Sequence, residues 1–228
     1  MRFRIGELFR FWSVKGITYI GVLSALALVS TRFASFYMIP GILRVDPAGP
    51  AVIMIAGMLF GPIAGMLVGG LSDILGFFIY NPTTLPWNPF VFAGQITYGL
   101  VAGLIFWTKL FDIFGPAFQK FYNFFICFIV STFRNFISIF KKNINKKKLH
   151  LKQQYDSSLV WKITTIVTTV TIAQLCGFLI ITLGLTFIMP NSPTFWGLFL
   201  TRVPFQPLFI IWYSILSMTV VKIFDQRI

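Results

Sequence analysis

Glycines 57, 61, 65 and 69 recur one helical turn apart in RVDPAGPAVIMIAGMLFGPIAGMLVGGLSDILG, residues 44–76, and Pro62 cuts the row in two. Small residues at four-residue spacing let helix backbones approach closely in an apolar solvent. A proline directly after a glycine ends one helix and opens another. Gly57 and Gly61 therefore belong to one helix, and Gly65 and Gly69 to the next. The stretch predicts a tight helical hairpin with Asp73 as an isolated acid among apolar residues. An acid in that setting is either satisfied by a partner or functional.

The rest of the chain extends this pattern. Of its 228 residues, 57% are hydrophobic and 11% charged, where a soluble domain carries about a quarter charged residues. Several apolar runs approach or exceed the roughly 20 residues that a spanning helix needs. They lack the two-residue alternation of a membrane β-barrel. The expected fold is an all-α integral membrane protein, one domain over 1–228 with six helices at about 16–36, 51–60, 64–80, 90–110, 160–188 and 195–224. The second helix covers only about half of the hydrocarbon core. It is therefore either a half-span or preceded by a loop that folds into the protein. The loop 37–50 holds three prolines and two glycines, so it is expected to be irregular. NPTTLPWNP, residues 81–89, makes a second such loop, and MPNSP turns the chain into the last helix.

A net charge of +13 raises the question of nucleic acid. The basic residues instead gather at 2–15, 109–152 and 222–227, as Lys and Arg do on cytoplasmic loops and near anionic membrane lipid. No nucleic-acid partner is expected, and both termini are placed inside. The first apolar run lacks a small-residue cleavage site and reads as a retained helix. Residues 112–158 form an insertion on the inner side. Within it, 116–140 is long and apolar enough to span, but it repeats polar residues every three or four positions, the pattern of an amphipathic helix lying in the interface. Lying flat, it leaves six spans that put both termini and the lysine-rich loop at 141–152 inside.

With this topology the opposite end collects the loops 37–50, 81–89 and 189–197. Arg32, Arg44 and Arg202 lie outside the cytoplasmic basic segments, against the orientation bias. A planar guanidinium pairs both oxygens of a carboxylate or phosphate. The alternative for Arg32 and Arg44 is snorkelling to headgroups. Asp73 either accepts hydrogen bonds from a ligand's ring N–H groups or pairs with one of the arginines. Asn81, Asn88, Gln95 and Gln206 offer donors and acceptors for a heterocycle's edge. Trp87, Tyr98, Phe33 and Phe36 offer faces to stack on it. Aromatic residues also gather at interfaces without any ligand.

Other chemistry is missing from the sequence. No GxxxxGK[ST] phosphate loop is present. The single histidine, His150, sits in the lysine cluster, so no Ser/His or Cys/His pair and no metal cluster can be built. Cys127 and Cys176 lie in apolar runs. Neither catalysis nor a cofactor is expected. The chain reads as a binder.

GVLSALALVSTRF, IAGMLFGPIAGMLVGGLSDILG and PTTLPWNPFVFAGQITYGLVAGLIF, with TRVPFQPLFIIWYSIL more weakly, resemble the substrate-binding S component of energy-coupling-factor (ECF) vitamin transporters, most closely the folate-type members. The resemblance covers most of 16–110 and 160–224. It implies six helices in a bacterial plasma membrane and a vitamin bound at the outer side. It also implies an energising module of two cytoplasmic ATPases and a transmembrane scaffold subunit. In such proteins a small-xxx-small pair on the first helix docks the scaffold; here it is Gly21 and Ala25. Folate has a pterin ring and a glutamate tail, which ask for amides, an acid, aromatics and arginines. Pantothenate or another anionic vitamin, and a non-transport membrane interaction protein, are the alternative readings.

Overall fold

A computed structural model describes residues 13–39, 43–80, 87–107, 157–188 and 194–225. The insertion 112–158, its expected interfacial helix at 116–140 and the lysine-rich loop all lie outside the described residues, apart from 157 and 158. The elements in chain order are α1 (Val14–Arg32), β1 (Phe36–Ile39), β2 (Leu43–Val45), α2 (Gly49–Phe60), α3 (Pro62–Ile79), α4 (Pro89–Trp107), α5 (Ser157–Ile188), α6 (Phe195–Arg202) and α7 (Gln206–Asp225). A single 3-10 turn, Val203–Phe205, joins α6 to α7.

Among the described residues, four segments are long and apolar enough to cross a membrane: Pro62–Ile79, Pro89–Trp107, Ile163–Phe187 and Phe195–Ile223. Two shorter apolar helices accompany them, Gly16–Arg32 and Gly49–Phe60. Large apolar side chains such as Ile17, Leu26, Leu71, Phe78, Leu179, Leu183, Ile211 and Ile215 point outward from α1, α3, α5 and α7. A water-soluble protein rarely leaves so continuous an apolar surface uncovered. Lipid covers it at no cost.

The expected short second helix is central. Ten of the twelve residues of α2 are buried, so it is wrapped by its neighbours and shows little surface to any solvent. At about 1.5 Å per residue its length is about 18 Å, and the chain before it folds back over the bundle. Gly61 ends it with φ +100°, a backbone that a side chain would strain. Pro62 then opens α3. The indole of Trp107 donates to the Met58 carbonyl at 2.8 Å, satisfying one of the acceptors that a helix end leaves open.

The split glycine row is reassembled in space. A Cβ on Gly57 or Gly65 would run into the Gly99 carbonyl, and one on Gly99 would run into the Gly65 backbone. The two arms of the hairpin thus meet α4 backbone to backbone, as small residues permit. Apolar side chains of α2, including Ile53, Met54 and Met58, fill the core together with Val68, Tyr98, Val170 and Tyr213.

Two features differ from expectation. The loop after α1 is partly regular: β1 and β2 pair antiparallel, Phe36 opposite Val45 and Ile39 opposite Leu43, with an irregular register between Tyr37 and Ile39. Aromatic and β-branched residues suit a pleated ribbon, and here they flank Pro40-Gly41. The prolines nearby masked that signal. The last helix is broken as well. Pro204 and Pro207 lack the N–H groups that would continue the helical ladder, so the backbone tightens into the 3-10 turn between Arg202 and Gln206.

Candidate functional site

The site lies at the end of the bundle where α1, α3 and α5 finish and α4 and α6 begin. Arg32 is the last residue of α1. Its Nη2 reaches α3, donating to Asp73 Oδ1 at 3.2 Å and to the Asp73 carbonyl at 3.3 Å. Gly76 makes the crossing possible, since a Cβ there would press within 2.5 Å of Arg32 Nε. Trp87, two residues before α4, is within hydrogen-bonding reach of the Asp73 carboxylate. Of the two readings open for Asp73, pairing with an arginine is the arrangement present.

Arg44, on β2, pairs with Asp46 two residues on. Its Nε lies 3.0 Å from Asp46 Oδ1. The Nε–H is directed at Ser35 Oγ, also at 3.0 Å, so Oδ1 has the charge beside it without an aligned hydrogen bond of its own. The Asp46 side chain is 17% exposed as a whole, yet Oδ1 itself is enclosed. Burial pushes this carboxyl above its ordinary value, and Arg44 and Arg32 oppose the shift. The loop is fastened from the far side of the bundle. Tyr213 donates to the Asp46 carbonyl and Trp212 to the Pro47 carbonyl, each at 2.6 Å.

Arg202 closes α6 at the helix break. Its Nη1 donates to the Thr182 hydroxyl of α5 at 2.9 Å, and its guanidinium carbon stands 5.4 Å from the centre of the buried Phe178 ring. Its Nε is enclosed with no acceptor. Asp46 is within electrostatic reach of Arg202, Tyr98 and Tyr213 alike. The loop acid, the broken helix and α4 therefore converge on one region.

The amides divide into two kinds. Asn88 is spent on the scaffold: Oδ1 accepts from the Phe90 N–H at 2.9 Å, and Nδ2 donates to the Gly184 carbonyl at 3.1 Å. Gln206, the first residue of α7, accepts from Gln174 of α5 at 3.2 Å. Gln95 and Gln174 are buried, and each keeps an Oε1 with no donor. Tyr98 is buried, its ring lying where a Cβ on Gly177 would be. Trp87 is exposed and tilted against Phe92, their centroids 5.5 Å apart. Phe33 is exposed and stacks on Tyr80 at 5.3 Å. Phe36 is exposed too. Asn81 lies outside the described residues.

Gly21 and Ala25 sit elsewhere, on the outward face of α1. Nothing lies within 4 Å of a Cβ built on Gly21. That face is open.

Sequence reasoning missed three participants. Asp46 was passed over because it lies in a loop, although an acid two residues from Arg44 and next to proline is a signal for an internal pair. Gln174 and Thr182 carry no local signal; only the packing of α5 on α6 and α7 gives them partners.

Residues 11–191 match the family described as ECF-type riboflavin transporter, S component. The chain belongs to this family. Among curated proteins none matches it. An S component is the substrate-binding subunit of a transporter and not an enzyme, and membership implies a vitamin substrate and an ECF energising module. The apolar helices of this S component are accordingly the spans of a multi-pass membrane protein.

Proposed function

We propose that this S component captures a flat heteroaromatic vitamin carrying a carboxylate, folate being the best fit, and delivers it with an ATP-driven partner module. The observation that carries the reading is Arg202. A guanidinium that is enclosed, faces an aromatic ring and has an Nε without an acceptor is short of an anion. The amide oxygens of Gln95 and Gln174 suit N–H groups of a ring edge. Tyr98, within electrostatic reach of Arg202, is an aromatic neighbour of that region, and Trp87 stands beside Asp73.

The site end is read as the outer face, with both termini in the cytoplasm of a bacterial cell. The basic segments then fall inside. The 112–158 insertion lies on the inner side, where the energising module would meet it. Gly21 and Ala25 form the docking face for the scaffold subunit, because an open small-residue stripe admits a partner helix closely.

The family description favours riboflavin as a second reading. Riboflavin has an aromatic ring system and no carboxylate, so it leaves Arg202 unmatched. Calorimetric titration of the purified chain in detergent, without ATP, decides between them. Folate should bind with a dissociation constant well below micromolar and displace riboflavin. No heat with folate up to the micromolar range, and tight riboflavin binding, would sink the folate assignment.

A further inference from the structure

We infer that the site neutralises one negative charge of its ligand and no more; this rests on the reading that an anionic vitamin occupies the Arg202 region. Between residues 16 and 108, and again between 163 and 221, the chain has five charged side chains: Arg32, Arg44, Asp46, Asp73 and Arg202. All belong to the site end. The connections at 40–42, 81–86 and 189–193 read PGI, NPTTLP and MPNSP, and contribute no ionisable group. Three guanidiniums against two carboxylates leave one positive charge.

The geometry says which one it is. Asp73 takes Arg32 at 3.2 Å, and Asp46 takes Arg44 at 3.0 Å. Arg202 meets no carboxylate among the described residues; it contacts a hydroxyl and an aromatic face. A ligand carboxylate on Arg202 completes the charge balance of the region. A second carboxylate would have to take Arg32 or Arg44 from its acid and leave that acid uncompensated away from water, which is costly. In a dicarboxylate ligand the second group therefore stays in solvent. The site accordingly tolerates amidation or extension at that group.

The test uses the full-length chain purified in detergent, titrated with folate, its two monoamides, its diamide, pantothenate and riboflavin. At least one monoamide should bind within about threefold of folate, and the diamide about 100-fold more weakly, since one buried charged partner is lost. Arg202→Ala should bring folate to the level of the diamide and leave the diamide unchanged. Arg202→Lys, which keeps the charge, should keep the preference for a monoanion over the diamide. If both monoamides lose as much as the diamide, two cations are engaged and the inference falls. It also falls if neutral riboflavin is the tightest ligand. If pantothenate binds and no folate does, the folate reading fails alone; the charge inference then stands on about a 100-fold loss of pantothenate affinity in Arg202→Ala, and an unchanged affinity overturns it.

Discussion

Tyr213, in the middle of the last helix, donates its hydroxyl to the backbone carbonyl of Asp46 at 2.6 Å, so the loop that carries the Arg44–Asp46 pair is held by a residue 167 positions away. Trp212 repeats the hold one carbonyl further on, at Pro47. Removing the phenol oxygen alone should loosen the loop while leaving the ring in the core. Tyr213→Phe is expected to cost about 1 kcal/mol of stability and to speed ligand release several-fold. Stopped-flow displacement reads the off-rate, and a melting curve reads the stability.

Gly99 has no room for a methyl group, whereas Gly21 has open space. Overpacking of this kind costs about 3 kcal/mol, or about 10 °C in melting temperature for a chain of this size. Gly99→Ala should show that loss in detergent. Gly21→Ala should melt within about 1 °C of the parent. Equal effects would mean that the α2–α3–α4 contact is looser than described.

Arg32 and Asp73 are an ion pair with little exposure, 11% and 7%. Taking away one partner strands the other, at about 3–5 kcal/mol. Arg32→Gln and Asp73→Asn should each destabilise strongly, and the double variant by clearly less than their sum. Additive losses in a melting-temperature cycle would separate the two residues into independent roles.

The Asp46 carboxyl is pushed above its ordinary 3.8 by burial, against the opposing pull of Arg44 and Arg32. The folded chain thus keeps this proton where the unfolded chain has lost it. That contribution to stability is complete below the ordinary value and is lost as pH rises through the folded one. Asp46→Asn removes the titration. The melting temperature of the variant should therefore gain on that of the parent as pH is raised from about 4 to 7. A difference that stays flat, or shrinks, contradicts the raised carboxyl.

Ala25 belongs to the open face of α1 and takes no part in the Arg202 region. Ala25→Trp should leave vitamin affinity unchanged in detergent and abolish uptake in cells that supply the energising module. Loss of both activities together would contradict a separate docking face.

Much of the fold is legible in the chain because lipid demands long apolar runs, and the Gly61-Pro62 break stands out within one of them. The β-hairpin is not, since seven strand residues beside prolines carry too little pattern. The site is legible as a set of residue types and not as a set of pairings. Arg32, Arg44, Asp73 and Arg202 stand out as charges in apolar surroundings. Which acid meets which arginine depends on how α1 lies against α3, a register 41 residues apart. Gln174 and Thr182 are invisible for the same reason: a polar residue in an apolar run gains meaning only from what the facing helix puts opposite it.

The contact of Gly57, Gly65 and Gly99 has a mechanical consequence. Helices that touch through their backbones have no side chains to rotate out of the way, so α2, α3 and α4 behave as an anvil. On the other wall, α6 and α7 are interrupted by two prolines, and α7 holds the loop through two hydrogen bonds. That side is a latch. The site thus lies between a wall packed backbone to backbone and a wall broken by prolines, and Arg202, which meets no carboxylate among the described residues, stands on the broken one.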